Sequence, residues 1–364
     1  MSSISCGIVG LPNVGKSTLF NSLTDNSVLA ANYPFATIEP NTGVVGVPDI
    51  RLQKLAELYK TEKIVLASVT FIDIAGLVKG ASEGEGLGNQ FLSHIRATNA
   101  IVQVVRVFED NNVIHVDNQR DPKHDIEIVN TELVLADLQV INKRLPRLEK
   151  EAKANFKLQP MVNELHSIKE VLDSGTPLFA DSSWQSASGW LKQELQLLTL
   201  KPIIYVFNVG EPTLTDESLK QKLSSLVAPS RSLFICAKLE NELQGLDTVD
   251  VQELLQSYGV KESGLNQLIV AAYDTLGLQS FLTAGPKEVR AWTISKDATA
   301  PQAAGVIHGD FERGFIAAQI VDYYDLIDSG SEATAKASGK IRTEGKDYIM
   351  RPNDVVEFRF NVSK

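Results

Sequence analysis

Near the start of this 364-residue chain, Gly10-Leu-Pro-Asn-Val-Gly15-Lys16-Ser17-Thr18 carries the spacing GxxxxGK[ST]. Two glycines let a backbone bend sharply enough for successive N–H groups to point inward at phosphate oxygens, and a helix starting there adds the positive end of its dipole. In such a turn Asn13, Val14, Gly15 and Thr18 line the phosphates, Lys16 reaches the outer ones, and the Ser17 hydroxyl is a ligand for Mg2+. The context is the one this chemistry needs. The apolar run Ile4–Val9 reads as a strand, and Thr18 to Leu23 continue with helical apolar spacing.

Further along, the apolar strand Val69–Ile72 ends in Asp73, and Asp73-Ile-Ala-Gly76 has the form DxxG. An aspartate there holds the metal through water, while the Gly76 amide senses the outermost phosphate. Thr37, in ANYPFATIEPNTG, stands where a switch threonine completes the magnesium shell. Phosphate loop, threonine and DxxG in this order point to a nucleoside triphosphate hydrolase rather than a small-molecule kinase. The residue after DxxG is Leu77, which cannot hydrogen-bond a water, so turnover without a partner is expected to be slow. Gly80, Gly84, Gly86 and Gly88 then give a loop with little conformational preference, as a switch requires.

The base end of the site is expected at YVFNVGEP, where an apolar strand stops at Asn208-Val209-Gly210-Glu211. Guanine-reading enzymes carry Asn-Lys-x-Asp here, the aspartate accepting both N–H groups of the guanine edge. This chain has no lysine at that place and an acid one methylene longer. The Asn208 amide has the donor and acceptor that match N6 and N7 of adenine, so adenine or relaxed purine specificity is expected. Cys236 and Ala237, closing the strand SLFICAKLE, stand where a backbone amide meets the base.

Composition frames these motifs. A hydrophobic share of 43% with 22% charged residues is ordinary for a globular chain, and a net charge of -10 with pI near 5.1 argues against binding DNA through the whole surface. Cys6 and Cys236 each lie in an apolar run and read as core thiols of a reducing compartment. Neither a signal-peptide start nor a spanning run of about 18 apolar residues occurs, so a cytoplasmic chain with no membrane partner is expected. The fold class expected is α/β: a P-loop domain over 1–278 with a mostly parallel sheet, interrupted at 127–200 by helices. Those helices form an antiparallel pair, closed by Gly175 and Pro177, and the first presents Lys143, Arg144, Arg147, Lys150, Lys153 and Lys157 against Glu149 and Glu151. Such a basic excess suits RNA phosphate and equally a solvated face. Residues 279–364 read as a compact mixed domain in which His308, Asp310 and Arg313, a His and acid beside a turn, are surface or capping residues rather than a catalytic set.

The stretches GLPNVGKST, YPFATIEPNTG, DIAGLVKGASEGEGLGNQFL, NVGE and AWTISKDATAPQAAGVIHGDFERGFI resemble the YchF group of Obg-like ATPases, over essentially the whole chain. The resemblance implies a G-domain with a coiled-coil arm and a C-terminal TGS domain of β-grasp type. It also implies hydrolysis of ATP to ADP in preference to GTP, association with the ribosome, and modulation of translation or of a stress response. His115, in FEDNNVIHVDN, matches a loop histidine suggested to replace the missing glutamine, and Asn13 matches the asparagine that holds K+ in some relatives. Two other readings stay open: a GTPase of the same architecture, and an RNA- or ribosome-binding adaptor in which nucleotide only stabilises the fold.

Overall fold

The computed structural model describes residues 4–25, 41–74, 87–108 and 121–361. Thr37, Gly76, Leu77 and His115 therefore lie outside the described residues. By its contacts the chain divides into two units: Met1–Val45 with Thr70–Leu268, and Gly46–Val69 with Ile269–Lys364. The contact boundary at Leu268 precedes the composition change near 278, and the second unit also takes up Gly46–Val69, a piece no composition change had marked.

In the first unit the strands are β1 (Ser5–Val9), β2 (Thr42–Gly46), β4 (Ser68–Asp73), β5 (Ala100–Arg106), β6 (Ile203–Asn208) and β7 (Arg231–Ile235), ordered β2-β4-β1-β5-β6-β7. From β4 to β7 every neighbouring pair is parallel. The central strands β1, β5 and β6 are buried at every residue, which is why SCGIV, AIVQVVR and IIYVFN are near-continuous apolar runs rather than alternating ones. Helix α1 (Lys16–Asp25) follows β1, and α3 (Leu87–Ala97) leads into β5.

The expected arm is present as α4 (Pro122–Ala154) and α5 (Gln159–Asp173), joined by the short turn Phe156–Leu158. Asp121 caps α4 by accepting from the Lys123 N–H at 3.0 Å, with Pro122 in the first turn. Ser174 caps α5 and Gly175 follows at φ 80°, so the helix closes where the sequence suggested. Ile141, Leu145 and Leu148 of α4 pack with Leu165, Ile168 and Leu172 of α5 in a core separate from the sheet. Where the chain returns from the arm, the buried Asp137 carboxylate accepts from the backbone N–H of Leu198 and Thr199, both at 2.8 Å, and from the Thr199 hydroxyl at 2.7 Å. Burial pushes this carboxyl up to about 6, against the pull of those three donors.

The second unit holds α2 (Ile50–Tyr59) and the strands β3 (Ile64–Val65), β8 (Leu278–Ala284), β9 (Val289–Ser295), β10 (Phe315–Asp322), β11 (Arg342–Glu344) and β12 (Asp354–Phe360), ordered β11-β10-β12-β8-β9-β3. Hairpin β8–β9, a helix over Ala300–Ile307 and the strand β12 returning parallel to β8 give the arrangement expected of a β-grasp. Phe281, Ile294, Ala303, Ala304, Ile320 and Val356 form its core. Arg51 ties the early segment in: its guanidinium pairs with Asp49 at 2.6 Å and donates to the Pro352 carbonyl at 2.6 Å and Asn353 Oδ1 at 3.0 Å. His308 Nδ1 caps the next helix at the Asp310 N–H (3.2 Å), while Asp310 and Arg313 form an ion pair, so of the three His308 is the cap.

Asp137→Ala orphans two buried backbone donors, so urea unfolding should show a loss of ~2–4 kcal/mol. Because its carboxyl is raised in the folded state, the wild-type advantage over Asp137→Asn should shrink as pH rises from about 4 to about 6 and stay level above. Parallel urea curves across that range check both statements.

Candidate nucleotide site

The turn after β1 supplies the first half of the site. Asn13 sits at φ 64°, in the left-handed region that asparagine tolerates, and Gly15 at φ 89°. A Cβ on Gly15 would also stand 2.2 Å from Asn208 Nδ2, so geometry and crowding both require glycine. Gly10 is needed for a different reason, since a Cβ there would meet the Val104 carbonyl oxygen of β5 at 2.7 Å. Lys16, Ser17 and Thr18 open α1, with the Leu19 N–H on the Gly15 carbonyl at 3.0 Å.

Strand β4 brings the carboxylate to this turn. Ile8 of β1 is in register with Asp73, the Asp73 N–H donates to the Asn41 carbonyl at 2.8 Å, and the Ile74 N–H to the Ile8 carbonyl at 3.1 Å. The Lys16 ammonium forms an ion pair with Asp73 Oδ1, and the Ser17 hydroxyl lies 3.4 Å from Asp73 Oδ2. The two oxygens expected to hold Mg2+ thus converge beside a cavity of about 550 Å3 lined by Asn13, Lys16, Ser17, Asn41 and Asp73. Among the described residues no group of three or more His, Cys, Asp or Glu could enclose a metal ion. Two hard oxygen donors without such a cage fit Mg2+, which keeps waters and takes phosphate oxygens as its remaining ligands.

A second cavity of about 630 Å3 shares Asn13, Gly15 and Thr18 and runs on to Phe108, Asn208, Glu211, Cys236, Ala237 and Lys238. Asn208, at the end of β6, is buried, and its amide is engaged at both ends: Nδ2 donates to the Val14 carbonyl at 2.9 Å, and Oδ1 accepts from the Ala237 N–H at 3.2 Å. The expected pairing of this amide with adenine meets groups already committed to protein, so Asn208 holds the phosphate loop and the base-side loop in register. Val209 is buried and donates its N–H to the Ile235 carbonyl at 2.9 Å. Glu211 Oε1 is paired with the Lys238 ammonium at 2.8 Å. Cys236 is buried at the cavity wall, and burial pushes its thiol up, as it pushes Cys6 up to about 12. Both are free thiols in the core, matching the expectation from their apolar surroundings.

Residues 5–143 match the family described as a 50S ribosome-binding GTPase, and residues 278–361 match the YchF-GTPase_C family, described as a protein of unknown function. A Bacillus subtilis protein named ribosome-binding ATPase YchF is 49% identical over 366 residues, spanning 99% of this chain and 100% of that protein. The chain belongs to the YchF family. A Haemophilus influenzae YchF of the same name is 49% identical over 98% of this chain and 99% of its own length. The solved structure of the Schizosaccharomyces pombe YchF GTPase superposes with a TM-score of 0.86 at 38% identity, covering 99% of this chain and 98% of that one. A GTP-binding protein of Pyrococcus horikoshii shares the fold alone, with a TM-score of 0.59 at 19% identity over 98% of this chain and 100% of that one.

In this YchF-family chain the structure brings together Asn13, Val14, Gly15, Lys16, Ser17, Thr18 and Asp73 at one end and Asn208, Val209, Glu211, Cys236 and Ala237 at the other. Sequence reasoning missed two side chains. Lys238 follows Ala237 directly, and only the tertiary fold sets it against Glu211. Phe108 closes VRVF after β5, its N–H on the Asn208 carbonyl at 3.2 Å and the Arg106 guanidinium over its ring at 4.4 Å. An aromatic ring closing an apolar strand was the available signal, and only the fold sets it beside the base motif.

Gly15→Ala should weaken binding of a fluorescent nucleotide by at least about tenfold, because the methyl group displaces Asn208 and strains φ. Circular dichroism should stay native, and unchanged nucleotide affinity would contradict the role given to Asn208.

Proposed function

We propose that the chain is a switch-type ATPase that hydrolyses ATP to ADP and phosphate and associates with the ribosome in a nucleotide-dependent way, modulating translation. The observation that carries the base preference is the Glu211–Lys238 pair at the base cavity. A carboxylate bound to an ammonium accepts both guanine N–H groups only in competition with it, whereas adenine's edge offers one acceptor and one donor to such a pair. Phe108 lines the same cavity and supplies a ring face for stacking.

At the phosphate end, backbone N–H groups of the loop and Lys16 orient the triphosphate, and Ser17 and Asp73, with Thr37, would hold Mg2+. When bound, the metal neutralises charge on the outer phosphates. Asn13 is the residue that would contact K+. The Lys16–Asp73 pair must open for Lys16 to turn to phosphate, so nucleotide entry rearranges the carboxylate next to the switch sequence. A water attacks the terminal phosphorus, the bond to the bridging oxygen breaks, ADP leaves with that electron pair, and the water's proton passes through the phosphate formed to solvent. Leu77 cannot orient the water, so turnover is slow unless His115 or a partner does so.

The ribosome part of the reading rests on relatives that carry that name and on the arm. Arg144 pairs with Glu151 at 3.1 Å and Glu149 with His166 at 3.0 Å, so both acidic residues of the basic stretch are engaged within the arm. Lys143, Arg147, Lys150, Lys153 and Lys157 are exposed, and Phe156, at the turn joining the two helices, is 82% exposed among them. Cations flanking an exposed ring suit phosphate contact with base stacking.

Titrating ATP and GTP side by side tests the base reading: ATP should bind tighter, and Lys238→Ala, which frees Glu211, should move the preference toward GTP by about tenfold (~1.4 kcal/mol). Tighter GTP binding by the wild-type chain would make it a GTPase. Val209→Lys, which would restore the lysine of Asn-Lys-x-Asp, is a poor probe because Val209 is buried.

Phe156→Ala combined with Lys153→Glu and Lys157→Glu should reduce co-sedimentation with ribosomes and flatten its salt dependence. Lys16→Ala should lose nucleotide and the difference between ATP and ADP states. If Lys16→Ala co-sediments unchanged and the wild type is indifferent to nucleotide, the adaptor reading replaces this one.

A further inference from the structure

The sheet of the second unit is split between β12 and β8. Strand β12 pairs with β10 from Asp354 to Phe360, and β8 pairs with β9 along its whole length, yet β12 and β8 share the single register Val355↔Leu282.

The direction of each backbone group follows from the bonds at the strand ends. The Tyr323 N–H donates to the Asn353 carbonyl and the Asn361 N–H to the Gly314 carbonyl, both at 2.8 Å. Alternation along an antiparallel strand therefore points residues 355, 357 and 359 at β10, and the N–H and C=O of Phe358 and Phe360 toward β8. On β8, the Lys296 N–H on the Gly277 carbonyl (2.9 Å) and the Gly285 N–H on the Glu288 carbonyl (3.1 Å) fix the odd residues on β9. Ala284 thus aims its backbone groups at β12. Two strand edges face one another, and their pairing stops at Leu282.

A cavity of about 390 Å3 occupies this place, lined by backbone-bearing Ala284 and Phe358, by Ile307 and Phe311 on the helix side, and by Tyr59 and Glu332 on the other. Its charged lining residues are Glu332 and Glu357, both acidic. The Tyr59 hydroxyl donates to Glu332 Oε2 at 3.4 Å, and burial, then both carboxylates, push that phenol up to about 12. Glu332 and Glu357 thus line one gap, with Glu332 on the Tyr59 hydroxyl.

We infer that this gap is a docking site for an extended, basic segment of a partner protein, which adds as a strand to the Phe358–Phe360 edge and sets a Lys or Arg between Glu332 and Glu357. Strand addition supplies affinity through main-chain bonds, and the side-chain pockets on either face supply selection. The acidic lining decides the sign: a cation gains two partners, while an acidic segment or a nucleic-acid backbone is repelled. The three residues from Phe358 to Phe360 extend ~10 Å, enough for the backbone groups of Phe358 and Phe360 to bond alternate residues of a guest strand. The inference stands apart from the nucleotide reading, since every group it uses belongs to the second unit.

Fluorescence anisotropy of the full-length chain with fluorescein-labelled Val-Lys-Val-Lys-Val-Lys-Val tests it. Saturable binding is expected. A charge-matched peptide with N-methylated backbone amides should bind at least about tenfold more weakly, and so should the lysine peptide to Glu332→Gln combined with Glu357→Gln. Equal binding of the methylated peptide would mean charge attraction alone and overturn the proposal. So would equal binding by the double variant, or no binding of the lysine peptide at all. The peptide comparison needs no altered protein, so a folding defect in the variant leaves it intact.

Discussion

The nucleotide site depends on one buried amide. Asn208 stands at the end of the central strand β6 and joins two loops that arrive from opposite ends of the first unit's sequence, one at Val14 and the other at Ala237. Its oxygen and nitrogen are both satisfied, so the contact is directional and withstands burial, where an unpaired amide would cost several kcal/mol. Gly15 makes room for it, which couples the glycine of the phosphate loop to the asparagine of the base motif. The two cavities therefore belong to one rigid assembly even though 194 residues separate Val14 from Asn208.

Around that link the charges are arranged in two facing pairs. Lys16 with Asp73 lies at the phosphate end and Glu211 with Lys238 at the base end. Each pair keeps a charge compensated beside its cavity. The first is the less exposed of the two, so its attraction is less screened by solvent. Ser17 and Lys16 both meet the Asp73 carboxylate, which is itself the first residue of the DxxG sequence.

The arm has its own apolar core, so its exposed surface is available for charge and for Phe156. Among the described residues no helix is long and apolar enough to cross a membrane. The second unit instead exposes a break in its sheet. A strand edge is a hazard unless it is covered or guarded, and acidic residues beside it discourage self-pairing with a chain that is itself acidic.

The sequence by itself determined whatever depends on local backbone geometry. Gly10, Gly15, Lys16 and Ser17 announce a phosphate loop because a tight turn into a helix tolerates few alternatives. The apolar runs of β5 and β6 announce parallel central strands, and the apolar repeats of α4 and α5 announce a helical arm. Asn208 and Glu211 could be located but not given their partners, because hydrogen bonding to Val14 and pairing with Lys238 are long-range contacts that no spacing encodes. For the same reason, the segment Gly46–Val69 carried no sign that it belongs with the C-terminal unit: Arg51 meets Pro352 and Asn353 about 300 residues away in the chain. The split between β12 and β8 was equally silent, since each strand has ordinary strand composition and only the register between them decides where pairing ends. Local conformational preference is written residue by residue, whereas the choice of partner is made by packing, which only the tertiary structure decides.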